Sequence, residues 1–153
     1  MKKYMFIGLS VAVLMLSSCM VSAVQAKEMM SRVEIDRVEN IYDGDTLRVT
    51  VHDWPPLFGR SIPVRVRGVD TPEIRGRCPY EKRKAIAARD FVRRHLFTSQ
   101  SIVLRDVTRG KYFRIVADVY VDGVNLSETL IKSGHGRAYD GGRREFWCAT
   151  GDV

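Results

Sequence analysis

Short runs of alternating apolar residues, punctuated by turn residues, restrict the fold of this chain more than any other feature. Val33 to Val38 and Thr46 to Val51 read as strands. In the second, Leu47, Val49 and Val51 share one face and Thr46, Arg48 and Thr50 the other, the period of two of a half-buried strand. Ile62, Val64 and Val66 alternate with Pro63, Arg65 and Arg67 after a loop, Asp53 to Ser61, whose Pro55-Pro56 and Gly59 are expected to exclude regular structure and to form a hairpin tip. Two more strands are expected at Ile102 to Val107 and at Phe113 to Val121, the second ending at Asp122-Gly123. Between the third and fourth strands the period changes. Pro79 suits a first helical turn, and Ala85, Ala88, Val92 and Leu96 recur at helical steps with Phe91 widening the stripe. A short helix through Lys132, capped by Asn125 or Ser127 and ended by Gly134, follows, and Arg143 to Trp147 is expected to add a last turn. Five short strands with a helix inserted after the third suit a mainly β, α+β barrel rather than a parallel α/β sheet.

At 153 residues, 45% hydrophobic and 28% charged, the chain is neither a disordered tail nor a polytopic membrane protein. Lys2 and Lys3 precede an apolar run from Tyr4 to Leu16, the length of an export-signal core and too short to span a bilayer comfortably. Residues 1–26 therefore read as a leader and 27–153 as one domain. Two processing routes stay open: cleavage after Val24-Gln25-Ala26, or use of Leu16-Ser17-Ser18-Cys19 as a lipobox that lipidates Cys19 and anchors the protein to a membrane. Either route places the protein outside the bacterial cytoplasm, periplasmic, secreted or anchored. The net charge of +7 falls to +5 after the first cleavage and still favours anionic partners. Only Cys78 and Cys148 remain in the mature body. In an oxidising compartment a bridge between them, closing about seventy residues, would stabilise by roughly 4 kcal/mol; the alternative is a reactive Cys78 thiolate at the helix start.

Chemistry concentrates in two acidic clusters. Asp43-Gly44-Asp45-Thr46 begins one strand and Val69-Asp70-Thr71-Pro72-Glu73 leaves the next, so a hairpin would bring both to one rim. Carboxylates converging without His or Cys suit a hard, oxygen-seeking cation. Taken singly, each cluster is an ordinary turn or strand exit.

Tyr42-Asp43-Gly44-Asp45-Thr46, then Arg65 five residues before Asp70-Thr71-Pro72-Glu73, then Lys111-Tyr112-Phe113-Arg114 and Asp122-Gly123, in that order, resemble the thermonuclease or staphylococcal nuclease family. The resemblance implies a five-stranded OB-fold barrel with about three helices and a calcium-dependent endonuclease. Such an enzyme hydrolyses DNA and RNA to products ending in 3′-phosphate. It further implies Asp45 and Asp70 as calcium carboxylates, Thr71 as a carbonyl ligand, and Asp43 contributing through water. Glu73 would be the general base, and Arg65 and Arg114 the clamps on the scissile phosphate. Lys111 and Tyr112 would contact substrate, with Tyr139 a second aromatic face for the unpaired bases of single-stranded or frayed substrate. A monomer is expected.

Three readings of these residues stay open. Arg65 and Arg67 share a strand face, so alternation does not say which one meets a phosphate. Tyr112 and Tyr139 would equally fill a barrel edge, and Lys82, Arg83, Lys84, Arg89, Arg93 and Arg94 would equally be a solvated helix face. The chain departs from the family pattern at Phe113, where glycine is usual, at Gly110, where an acid is common, and in the long 53–61 loop. An envelope OB-fold module that binds nucleic acid or another polyanion without cutting it is the main alternative. A histidine metalloenzyme is disfavoured because His52, His95 and His135 form no ligand motif.

Overall fold

The computed structural model of the protein describes residues 32–148. The leader, its cleavage sites and Cys19 lie outside the described residues. Among the described residues nine strand segments are present: β1 (Arg32–Glu34), β2 (Arg37–Asp43), β3 (Thr46–Thr50), β4 (Ile62–Val66), β5 (Gly68–Asp70), β6 (Ile102–Arg109), β7 (Ile115–Val121), β8 (Val124–Asn125) and β9 (Arg137–Tyr139). Three helices accompany them, α1 (Pro56–Gly59), α2 (Pro79–Thr98) and α3 (Leu126–Lys132).

The main sheet runs β1-β6-β7-β4-β3-β2, with β8 paired to β7. Its two ends are one piece of chain, since only Ile35 and Asp36 separate β1 from β2. At this corner Ile35 N–H donates to Ile102 O (2.9 Å) on one edge and Asp36 N–H to Thr50 O (3.1 Å) on the other. A single bent strand thus closes the curl and removes both free edges. The uninterrupted strand expected over Val33 to Val38 is therefore broken in two, because one straight strand could not serve both neighbours. With β1 and β2 counted as one, β5 as a continuation of β4, and β3, β6 and β7, the architecture is the α+β, five-stranded OB barrel. Val49, Val64, Leu104, Ala117 and Val119 fill its interior, all fully buried, and Val92 of α2 and Leu126 and Leu130 of α3 close it.

Three local expectations are corrected. The 53–61 loop contains a helical turn, α1, because Pro56 at its first position already holds a helical φ and lacks an N–H that would go unpaired. Phe113 is not in β7: Tyr112 and Phe113 both have φ of 58°, a left-handed turn that starts the strand two residues later. No final helical turn forms at 143–147, which runs irregularly. Asn125, rather than Ser127, caps α3, its Oδ1 accepting from Ser127 N–H (2.9 Å). Cys78 caps α2 through its sulfur and is joined to Cys148 by a disulfide (Cα to Cα 6.1 Å), so it is not a free thiolate.

Candidate active site

Both acidic clusters meet at one rim. The turn between β2 and β3 carries Asp43 and Asp45, and the exit of β5 carries Asp70, Thr71 and Glu73. Backbone N–H groups of the second cluster donate to carboxylates of the first: Thr71 N–H to Asp45 Oδ2 (2.8 Å) and Ile74 N–H to Asp43 Oδ1 (2.9 Å). Gly44 allows this approach, for a Cβ there would lie 3.0 Å from both Ala88 Cβ and Thr71 Cγ2. Asp43, Asp45, Asp70 and Thr71 are all buried. Burial is the chief reason the Asp43 carboxyl is held above its ordinary pKa; the Ile74 hydrogen bond opposes the shift and the Glu73 charge adds to it.

Arg65 sits between the clusters. It is 5% exposed, pairs with Asp45 Oδ2, and reaches Asp70 Oδ1 through its other terminal nitrogen at 3.4 Å. Arg67 turns elsewhere, binding Asp118 Oδ2 (3.3 Å) and the Asp106 carbonyl (2.5 Å). The structure thus separates two arginines that alternation could not, because β4 ends at Val66 and the chain turns at Gly68 (φ 81°). Burial, then repulsion from Arg144, brings the Arg65 pKa down to about 10, with Asp70 opposing and Arg114 adding to the fall; it remains a cation at neutral pH. Arg114, immediately before β7, is near enough to contribute to that repulsion, and its buried Nε has no hydrogen-bond partner. Arg65, Arg114 and Arg144 thus raise the positive potential about the rim, which favours an anion there.

Donor chemistry at the rim fits a hard divalent cation. Asp43, Asp45, Asp70 and the Thr71 carbonyl offer only oxygen, and the buried Thr71 Oγ1 lacks a hydrogen-bond partner. Arg65 keeps Asp45 and Asp70 engaged, however, so closing them on a cation involves shifting its guanidinium. Among the described residues, the only three groups with ligand atoms mutually within 4.8 Å are Cys78, Glu81 and Cys148, whose sulfurs are committed to the disulfide.

The third guanidinium belongs to a segment to which sequence reasoning gave no role. Arg144 Nε lies 2.9 Å from Asp70 Oδ1, and its terminal nitrogen pairs with Glu73 Oε1. Trp147 Nε1–H donates to Asp70 Oδ2 (3.2 Å), and Arg137 stacks on the Trp147 ring with its guanidinium carbon 3.9 Å from the centroid. The signal was Cys148: once bonded to Cys78, it holds residues 143–147 beside the loop carrying Glu73. Glu81 was also missed. From the first turn of α2 its buried carboxylate accepts from Glu73 N–H (3.4 Å) and Arg77 N–H (2.8 Å), supporting the loop. Gly76 leaves it room, since a Cβ there would fall 2.5 Å from Glu81 Cγ.

Substrate-side candidates divide. Tyr139 on β9 lies over Arg65, 5.9 Å from ring centroid to guanidinium carbon, and its hydroxyl donates to Gly142 O (2.8 Å). Lys111 and Tyr112 stand out in solvent in the turn before Arg114, Tyr112 92% exposed. His95 and His135 flank Phe91 on α2, whereas His52 pairs with Asp36 at the barrel corner.

The family described as staphylococcal nuclease homologue matches residues 63–146, a stretch that includes Arg65, Asp70 to Glu73 and Arg114. An uncharacterized protein of Methanocaldococcus jannaschii is 29% identical over 126 residues, 67% of this chain and 58% of that protein. A protein of Oryza sativa subsp. japonica named as a probable staphylococcal-like nuclease is 30% identical over 110 residues, 61% of this chain and 31% of its own length. The chain thus spans less than two thirds of the length of either relative. With a match over more than half of its residues and the barrel and rim just described, the chain belongs to the staphylococcal nuclease homologue family.

Proposed function

We propose that this protein is a calcium-dependent endonuclease that hydrolyses phosphodiester bonds of DNA and RNA, prefers single-stranded or frayed stretches, and leaves 3′-phosphate ends. Family membership supports a nuclease or nucleic-acid-binding role; the calcium requirement, the substrate range and the residue roles are our reading of the rim. The observation that carries it is a buried all-oxygen acidic cluster with the Arg65 and Arg144 guanidinium groups on its carboxylates, beside an Arg114 Nε that has no hydrogen-bond partner among the described residues.

A phosphodiester is an anion that repels a nucleophilic oxygen and gains charge as the fifth P–O bond forms. Arg65 and Arg114 would grip its non-bridging oxygens with forked donors, stabilising the charge where it grows. Asp45, Asp70 and the Thr71 carbonyl would hold calcium, with Asp43 contributing through water; once bound, the ion supplies charge neutralisation and polarises the phosphate. Glu73, about half exposed and paired with Arg144, would take a proton from an attacking water after exchanging Arg144 for it. Cleavage of the P–O5′ bond releases a 5′-hydroxyl and leaves the phosphate on the 3′ side. Tyr139 would pack against the nucleotide beside Arg65, and Lys111 and Tyr112 would meet the strand further out.

The test is incubation of the protein with single-stranded DNA, in calcium or in chelator, beside Glu73→Ser and Arg114→Ala. Degradation by wild type alone, and only in calcium, is expected. Equal degradation by all three would reject the assigned residues, and binding without any cleavage would favour the non-catalytic module.

A further inference from the structure

Arg114 also borders a groove of about 560 Å³ with apolar walls. One wall is the 53–61 loop, bearing Trp54, Leu57 and Phe58; the other is the turn before β7, bearing Phe113. Leu57, Phe58 and Phe113 are 84%, 61% and 82% exposed, unusual for side chains of this size on adjoining segments.

Both walls are built rather than loose. In the loop, Phe58 N–H donates to Pro55 O (2.7 Å) and Val51 N–H to Gly59 O (2.7 Å), while a Cβ at Gly59 would meet Val51 O at 2.4 Å. In the turn, Gly110 N–H donates to Arg114 O (2.7 Å), and the fold holds two successive aromatic residues at positive φ, a conformation costing about 1 kcal/mol or more for each. The turn leaves Tyr112 and Phe113 92% and 82% exposed. The groove's rim is cationic: Arg60, Arg109 and Arg114 border it, and the Arg109 guanidinium lies 5.5 Å from the Phe113 ring centroid.

We infer that this groove is a binding site for unpaired nucleobases of the strand whose phosphate lies on Arg114. Arg114 lines the groove and is near enough to Arg65 to add to the repulsion on it, so a strand anchored at its guanidinium passes the groove mouth. Aromatic and aliphatic walls receive a base face without reading its identity, and the bordering arginines answer the charge of the backbone. An anionic lipid surface is the other partner an apolar and basic patch could meet; an unpaired base is favoured because Arg114, the proposed phosphate clamp, itself lines the groove.

The inference rests on the proposed nuclease site, and its test is arranged so that the two fail separately. In chelator, where turnover is not expected, binding of an eight-residue oligo(dT), of oligo(U) of equal length, and of an abasic deoxyribose-phosphate oligomer is measured by fluorescence anisotropy. The proteins are wild type, Phe58→Ala and Phe113→Gly. Phe58 and Phe113 are exposed and glycine relieves the positive φ, so neither change threatens the fold; urea midpoints check this. About tenfold weaker binding of the base-bearing oligomers by both variants, with the abasic oligomer unaffected, is expected. Unchanged binding, or equal loss for the abasic oligomer, would overturn the inference. So would loss confined to sedimentation with phosphatidylglycerol vesicles, which would assign the groove to a membrane. Base-dependent losses without calcium-dependent cleavage would leave the groove standing and remove the nuclease reading.

Discussion

Replacing Arg65 and Arg114 separately by methionine should give equal catalytic damage and unequal structural damage. Each proposed phosphate contact, if worth what a single transition-state donor is worth elsewhere, amounts to roughly 3 to 4 kcal/mol, or about 10²- to 10³-fold in rate. Stability differs because the two guanidinium groups end differently. Arg65 is 5% exposed and lies between buried Asp45 and Asp70, so its removal leaves Asp45 without its cation while Asp70 keeps Arg144, a loss of about 3 to 5 kcal/mol for a broken buried pair. Among the described residues Arg114 pairs with no carboxylate and has an unpartnered Nε, so its removal should cost within about 1 kcal/mol. Urea unfolding in chelator at neutral pH reads the difference: with a slope of about 1.5 to 2 kcal/mol/M, the Arg65 variant should lose about 2 M in midpoint and the Arg114 variant about 0.5 M or less. Adding Asp45→Asn to Arg65→Met should recover part of the loss, because one orphaned charge disappears. Equal midpoints for the single variants, or no recovery in the double variant, would refute the bridge as the support of this rim.

Three further outcomes follow from the same geometry. Asp43→Asn should be more stable than wild type at neutral pH. Burial raises the folded pKa of Asp43 above its unfolded value, so ionisation opposes folding, and the gap should close as pH falls through that raised value; thermal melts from pH 7 to pH 3 check the sign. Arg144→Ala removes a cation 2.9 Å from Asp70 and should tighten calcium binding about fivefold by calorimetry; weaker binding would make Arg144 an organiser of the acids instead of a competitor for them. Cys148→Ser opens a loop spanning a sequence separation of 70 and should cost roughly 4 kcal/mol in urea unfolding while leaving the Cys78 cap in place.

Much of the barrel was legible because β3, β4 and β7 carry apolar residues at every second position over five residues or more and its long helix has an apolar stripe at Ala85, Ala88, Val92 and Leu96, each 5% exposed or less. The break at Ile35-Asp36 was not, because it is imposed by the two edges the strand must serve and no local residue announces it. The left-handed turn at Tyr112 and Phe113 was hidden for the opposite reason: aromatic residues favour strands, and local preference points the wrong way. At the site, the meeting of the acidic clusters followed from the hairpin. Arg144 and Trp147 did not, since their place depends on a covalent link between residues far apart in sequence, and pairing alone does not say which neighbouring side chains will face the rim. Glu81 was obscured by its position in the first turn of a helix, where an acid is already favourable for capping and dipole reasons.

The most direct measurement is the chemistry of the cut. A 5′-labelled oligodeoxynucleotide is digested by the protein in calcium and in chelator, and the products are resolved before and after treatment with a 3′-phosphatase. Fragments that form only in calcium, and change mobility on phosphatase treatment, are the predicted result. Cleavage that persists in chelator, or fragments that already end in 3′-hydroxyl, would contradict the account.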